Sequence, residues 1–263
     1  MSTEGATSEF GVIIPARFAS TRLPGKPLID LGGKPMVVRV MEVAAAAGAA
    51  FAVVATDDER VAAAVTAAGG EAILTSPEHE TGTDRLAEVA RRMRLDPEVI
   101  VVNLQGDEPA LPAALVTRVA QTLMQESEAS LATLATGLRE RGELFDPNVV
   151  KVVLDQASRA LYFSRAPIPW LRGEFAAETA RDSKGALQDD LFLRHIGLYA
   201  YRVSTLLTLA QTRPTALEQA ERLEQLRALW LGMKIQVAVV AEPPAAGVDT
   251  PEDAARVQKL YQA

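Results

Sequence analysis

Short β-branched runs alternate with helix-periodic segments through the first half of the chain, and this alternation restricts the fold to βαβ units carrying a mostly parallel sheet. Strand patterns fall at 10 to 15, 51 to 56, 72 to 75 and 99 to 104, with helical patterns near 35 to 47, 58 to 68, 84 to 94 and 112 to 126. From Ala129 the alternation weakens. Strand-like runs at 129 to 136, 149 to 154, 160 to 164 and 195 to 202 follow with little helix between them, which predicts antiparallel additions to the sheet. Residues 171 to 191 are polar and aperiodic and read as a long surface loop. A helix from 217 to 232 and a strand from 235 to 241 come next. The last helix has a clear start, with Thr250 as cap, Pro251 at the first helical position and Asp253 where a capping box wants an acid. No repeat, low-complexity tract or linker divides the chain, so the reading is a disordered tail over 1 to 9 and a single domain over 10 to 263.

With 263 residues, 48% hydrophobic and 23% charged, the chain buries a full core for one large α/β domain. Its net charge of -7 repels nucleic acid and anionic membrane, so neither is expected as a partner, and an anionic ligand has to be captured by a local basic cluster. The absence of cysteine excludes disulfides, thiolate zinc sites and a cysteine nucleophile, and fits a reducing compartment. The alanine run at Ala44 to Ala47 is too short to span a bilayer, and the N-terminus lacks a basic region followed by an apolar stretch. A cytoplasmic location is the expectation.

Residues 15 to 28, PARFASTRLPGKPL, follow the first strand as a basic, glycine- and proline-punctuated loop. Open α/β sheets bind ligands at the carboxyl ends of their strands, so Arg17, Arg22 and Lys26 there predict a site for several phosphates, against the reading of a solvated loop. Three more segments fall at the same edge. Thr56-Asp57-Asp58 either caps the next helix or meets a ligand. Gln105-Gly106-Asp107-Glu108 places a carboxylate by a glycine turn, the usual way to hold Mg²⁺, and Asp249 ahead of the last helix is either a second ligand or a companion of the Thr250 cap. Thr81-Gly82-Thr83-Asp84-Arg85 opens a helix and is either an anion site or a plain capping box. Walker, dinucleotide and zincin motifs are missing, and the two histidines, His79 and His195, complete no serine triad.

Taken in order, IIPARFASTRLPGKPL, VVATDDERV, ETGTDRLAEV, VVNLQGDEP, NVVKVVLD, ALYFSRAPIPW, FLRHIGLYAYR, LEQLRALW and GVDTPED closely resemble the 3-deoxy-D-manno-octulosonate (Kdo) cytidylyltransferases, or CMP-Kdo synthetases, across residues 11 to 253. Phe18 stands where that family often has tyrosine, Thr81 where it usually has serine, and 172 to 190 match poorly. The resemblance implies a Rossmann-like, mostly parallel mixed sheet of the nucleotide-sugar transferase type. It has helices on both faces, a mainly nucleotide-binding half at 10 to 128, and a sugar-binding half at 129 to 263 with an antiparallel insertion used for dimerisation. It implies transfer of a cytidylyl group from CTP to the anomeric hydroxyl of Kdo, releasing pyrophosphate, with Mg²⁺ as cofactor.

Carried over by motif, Arg17 and Lys26 would hold the triphosphate, with Ala16, Ser20, Arg22 and Thr83 seating the nucleotide. Asp107 and Asp249 would bind the metal. Arg85, Gln105, Arg165, His195, Tyr199, Glu224 and Gln225 would surround the sugar acid, where arginine suits a carboxylate and glutamine or glutamate suits hydroxyls. Pro167-Ile168-Pro169-Trp170 would face a second copy in a homodimer, unless Trp170 is a core anchor. The rivals are a cytidylyltransferase for sialic acid or 8-amino-Kdo, and a non-catalytic nucleotide-binding domain.

Overall fold

A computed structural model describes residues 9–19, 23–175, 187 and 191–262. Strands and helices follow in the order β1 (Gly11–Ala16), α1 (Met36–Ala46), β2 (Phe51–Thr56), α2 (Glu59–Ala67), β3 (Glu71–Leu74), α3 (Gly82–Arg92), β4 (Ile100–Asn103), α4 (Ala113–Gln125) and β5 (Leu131–Gly137). They continue with α5 (Arg141–Phe145), β6 (Lys151–Leu154), β7 (Ala160–Ser164), β8 (Leu193–Arg202), α6 (Val203–Gln211), α7 (Ala216–Glu221), α8 (Gln225–Trp230), β9 (Ile235–Val240) and α9 (Pro251–Leu260). A short 3-10 turn at Lys26–Leu28 interrupts the first long loop.

Two compact units contain these elements. The first comprises 1–125, 198–210 and 244–263, and the second 126–197 and 211–243. In the first, β1 pairs in parallel with both β2 and β4, β2 with β3, and β4 runs antiparallel to Tyr199–Arg202 of β8. Val12, Ile13 and Ile14 are all fully buried, and because successive strand residues point to opposite sides, both faces of β1 are covered. The chain leaves β1 toward β2 and β3 and then crosses back to β4, so β1 and β4 flank a topological switch point, where a crevice opens at the carboxyl ends of parallel strands.

In the second unit β6 and β7 form an antiparallel pair, and β6 also runs antiparallel to Leu193–Arg194 of β8. The pairing of β5 with β9 is parallel, from Leu131↔Ile235 to Thr136↔Val240, where antiparallel additions were expected. These strands are joined by a hundred-residue crossover and not by a tight turn, the connection that permits parallel pairing.

Three helical differences have physical causes. The short helix α5, which buries Leu144, has too few residues to show periodicity. Helix α6 starts directly at the end of β8, so its apolar positions, Val203, Leu206 and Leu209, continue a strand-like run. The expected helix over 217 to 232 is two, because Arg222 adopts a left-handed conformation with φ 52° and ends α7. Glu218 of α7 and Arg227 of α8 then form a buried ion pair, with Arg227 Nε 2.8 Å from the carboxylate. Nine positions apart on one continuous helix, these side chains would point in roughly opposite directions, so the pair requires the break.

Gly106 makes the switch point possible. A Cβ there would stand 2.6 Å from the carbonyl oxygen of Pro15, and Gly106 N donates to that same oxygen at 3.2 Å. Gly106→Ala is therefore expected to cost about 1–3 kcal/mol, as other overpacking substitutions do. Urea denaturation measures it, and a variant as stable as the parent would show that the end of β1 yields to the methyl group.

Candidate active site

The loops after β1, β3 and β4 and the segment before α9 all belong to the first unit, and they enclose a cavity of about 430 Å³. Its lining includes Ala16, Arg17, Lys26, Arg85, Gln105, Asp107 and Asp249. Lys26 Nζ donates to Asp107 Oδ2 at 2.8 Å and to Asp249 Oδ1 at 2.9 Å, tying together residues 81 and 223 positions away. Burial pulls the ammonium down, but the charge and hydrogen bonds of Asp107 and Asp249 outweigh it and raise its pKa above the ordinary lysine value.

Local geometry explains the convergence. Val248 N donates to Asp107 O at 2.8 Å, and a Cβ on Gly247 would lie 2.9 Å from that carbonyl, so the two acidic segments approach as closely as backbones can. Thr250 and Asp253 form the expected capping box, and Asp253 Oδ2 also accepts from Asp249 N at 3.1 Å. Asp249 is thus a companion of the cap and also presents its carboxylate to Lys26. Glu108, next in the chain, was not singled out by sequence. Desolvation, with Asp107 and Asp249 nearby, pushes its carboxyl up to about 7 against the pull of Lys26.

Asp58 is the plain cap of α2, accepting from Arg60 N, while Asp57 organises the loop after β1. Asp57 accepts from Phe18 N at 3.2 Å and from Arg85 Nη2 at 3.1 Å, and Arg17 Nε lies 3.8 Å away. Arg85 is buried, with Nη1 also on Thr75 Oγ1. Arg17 is about half exposed and reaches His79 O at 2.9 Å, and the His79 ring is held by Glu88, a structural role. Thr81 caps α3, accepting from Asp84 N, and lines the cavity together with Gly82. Thr83, expected at the nucleotide, is buried in the first turn of α3 and is not part of the lining, because the helix starts two residues earlier than its sequence pattern implies. The expected contacts of Ser20 and Arg22 lie outside the described residues, as do the tail at 1 to 8 and most of the loop at 172 to 190.

The two carboxylates fit a divalent cation in one respect, since both converge on a single positive charge, the Lys26 ammonium. No group of three or more histidine, cysteine or acidic side chains arranged for a metal occurs among the described residues, so a cation held by these two carboxylates would need other oxygen ligands, as hard Mg²⁺ tolerates.

Of the residues expected around a sugar acid, Arg85 and Gln105 line the cavity, and Tyr199 is buried in the first unit with its ring stacked on Tyr201. Arg165, His195, Glu224 and Gln225 belong to the second unit. Glu224 is exposed, whereas Gln225 is buried and its Nε2 has no hydrogen-bond partner among the described residues. His195 packs edge-on against Phe163, and its Nε2 meets Thr133 Oγ1 at 3.0 Å. Trp170 is 56% exposed and touches Phe175 edge-on, so it is not a core anchor.

A basic loop and paired carboxylates at the switch point of a parallel sheet define an α/β protein built to receive a phosphorylated ligand. Residues 11–235 match the cytidylyltransferase family, and the chain belongs to it. It is 53% identical over 252 residues, 96% of this chain and 98% of the relative, to the 3-deoxy-manno-octulosonate cytidylyltransferase of Photorhabdus laumondii. Proteins of the same name from Vibrio parahaemolyticus, at 53% over 95% of this chain and 97% of the relative, and Actinobacillus succinogenes, at 50% over 97% and 98%, are similar throughout. A solved structure of CMP:2-keto-3-deoxy-manno-octonic acid synthetase complexed with CTP superposes with a TM-score of 0.85 at 42% identity, covering 97% of this chain and 99% of that one.

Desolvation holds the His195 imidazole down at about 3, against 6.5 in an unfolded chain. The unfolded state therefore binds the extra proton between these values, so this contribution is complete above pH 6.5 and is lost as pH falls toward 3. His195→Gln should show a smaller loss of stability between pH 7.5 and 5.5 than the parent in parallel urea titrations. Equal losses would mean that the ring titrates normally when folded.

Proposed function

We propose that the protein transfers the cytidylyl group of CTP to the anomeric hydroxyl of Kdo, giving CMP-Kdo and pyrophosphate. The observation that carries this reading is the full-length similarity, at 50–53% identity, to relatives bearing that activity as their name. In-line transfer forms a bond from the sugar oxygen to the α-phosphorus and breaks the bond to the β-phosphate, so the protein's task is placement and charge neutralisation. Arg17 and Lys26 hold the triphosphate and offset the charge that gathers on the leaving pyrophosphate. Arg165 pairs with the sugar carboxylate, while Gln225 and Glu224 meet hydroxyls. His195, kept neutral by burial, binds and does not shuttle protons.

The charge balance of the cavity supports a divalent cation as part of the proposal. Among its described lining residues, Arg17, Lys26 and Arg85 face Glu80, Asp107 and Asp249, three positive charges against three negative. A triphosphate entering such a neutral cavity gains no net attraction, and two added positive charges supply it. Mg²⁺ held by Asp107 and Asp249 would also act as a Lewis acid on phosphate oxygens and lower the pKa of the sugar hydroxyl. A homodimer and a cytoplasmic site of action belong to the same reading; no helix among the described residues is long and apolar enough to cross a membrane.

Pyrophosphate release should require CTP, Kdo and Mg²⁺ together and stop with EDTA, with ATP, GTP and UTP inactive. Release without Kdo, or none from folded protein, would sink the reading. Lys26→Ala should lower turnover roughly 10²- to 10³-fold, as loss of a charge-stabilising donor does, and Asp107→Asn should abolish the response to Mg²⁺. Near-normal turnover of Asp107→Asn with Mg²⁺ still required would remove Asp107 from the metal site.

A further inference from the structure

The second unit contains a hub of charged side chains that the reaction does not directly use. Lys151, at the start of β6, is fully buried, and its Nζ donates to the carbonyl oxygens of Asp146 at 3.0 Å, Val149 at 2.6 Å and Arg165 at 2.6 Å. Three acceptors use all three hydrogens of an ammonium, whereas a neutral amine would turn its lone pair onto a carbonyl, so the cage selects the cation. Burying a charge with no carboxylate in contact among the described residues is costly, and burial pulls the Lys151 pKa below the ordinary lysine value. What the charge accomplishes is to grip the Arg165 carbonyl.

Glu221, the last residue of α7, grips the same residue from the other side. Its carboxylate accepts from Ser164 Oγ at 2.6 Å and from Arg165 N at 2.9 Å, and its main-chain oxygen accepts from Arg165 Nε at 2.6 Å. Arg165 Nη1 donates to Pro147 O at 2.8 Å and Nη2 reaches Arg222 O at 3.5 Å. Among the described residues every hydrogen bond of this guanidinium goes to a main-chain carbonyl and none to a carboxylate, so its charge is oriented without being paired there. One N–H on each Nη stays available to an acid.

We infer that Lys151 and Glu221 are positioning residues that fix Arg165 for the carboxylate of the sugar acid, and so set affinity for that substrate and not for the nucleotide. The inference rests on the proposed role of Arg165 as the carboxylate partner. A purely structural hub would affect both substrates alike; a positioning hub affects one.

Michaelis constants for Kdo and for CTP, read by pyrophosphate release, separate these cases. Glu221→Ala should raise the KM for Kdo about tenfold or more while that for CTP stays within about twofold, since small misplacements of a binding group are that costly. Glu221→Gln keeps an acceptor for Arg165 N and an amide donor for Ser164 Oγ, and should recover most of the loss. Lys151→Met should behave like Glu221→Ala. It also takes their donor from the carbonyls of Val149 and Arg165, so where it fails to fold the two Glu221 variants decide. If Arg165→Ala raises the KM for Kdo but folded Glu221→Ala does not, or if Glu221→Ala raises both constants together, the positioning role is overturned and Arg165 keeps its assignment. If Arg165→Ala itself leaves the KM for Kdo unchanged, the assignment of Arg165 fails and the inference fails with it.

Discussion

The double hydrogen bond of the Lys26 ammonium to Asp107 and Asp249 is the interaction on which the first unit's site depends. It joins the loop after β1, the loop after β4 and the segment entering α9, three stretches with no other reason to share a charge. Each carboxylate is more than a third exposed while the ammonium is largely covered, so the pair is open to a ligand from one side and anchored from the other. Remove the ammonium, and two acids at a crowded sheet edge repel one another without compensation.

Close backbone approach is what allows that interaction, and it is bought with glycine. Gly106 lets the β4 loop rest against Pro15 O, and Gly247 lets the C-terminal segment rest against Asp107 O. The hydrophobic contacts beneath, among Leu23, Leu31, Met36, Val248 and Val257 with Ala110 of the β4 loop packed against them, hold the same three stretches together from below. Charge, backbone and core therefore specify one geometry, the agreement across levels that marks a well-determined site.

The parallel half of the sheet was legible because buried parallel strands are continuous apolar runs and their helices are long enough to show a period. β2 begins and ends where its pattern does, and Thr250-Pro251-Asp253 announced the last helix by capping chemistry alone. The basic loop and both acids were readable as types at a sheet edge. Their mutual contact was not, because nothing local encodes a bond across 223 residues. Asp57 was ambiguous for the same reason. Adjacent aspartates look alike in sequence, and only tertiary structure makes Asp58 a cap and Asp57 the partner of Arg85. Lys151 was invisible within an apolar strand motif, where a lysine ordinarily points to solvent.

The break between α7 and α8 shows how a departure from local pattern marks a tertiary contact. A continuous amphipathic helix would satisfy its own backbone and needs no left-handed arginine. Instead the chain places Arg222 at φ 52°, buries the Glu218–Arg227 pair, and leaves Gln225 covered with its amide nitrogen unpartnered among the described residues. The left-handed Arg222 has its explanation in that ion pair, since one continuous helix would hold Glu218 and Arg227 on roughly opposite sides and neither could be buried against the other.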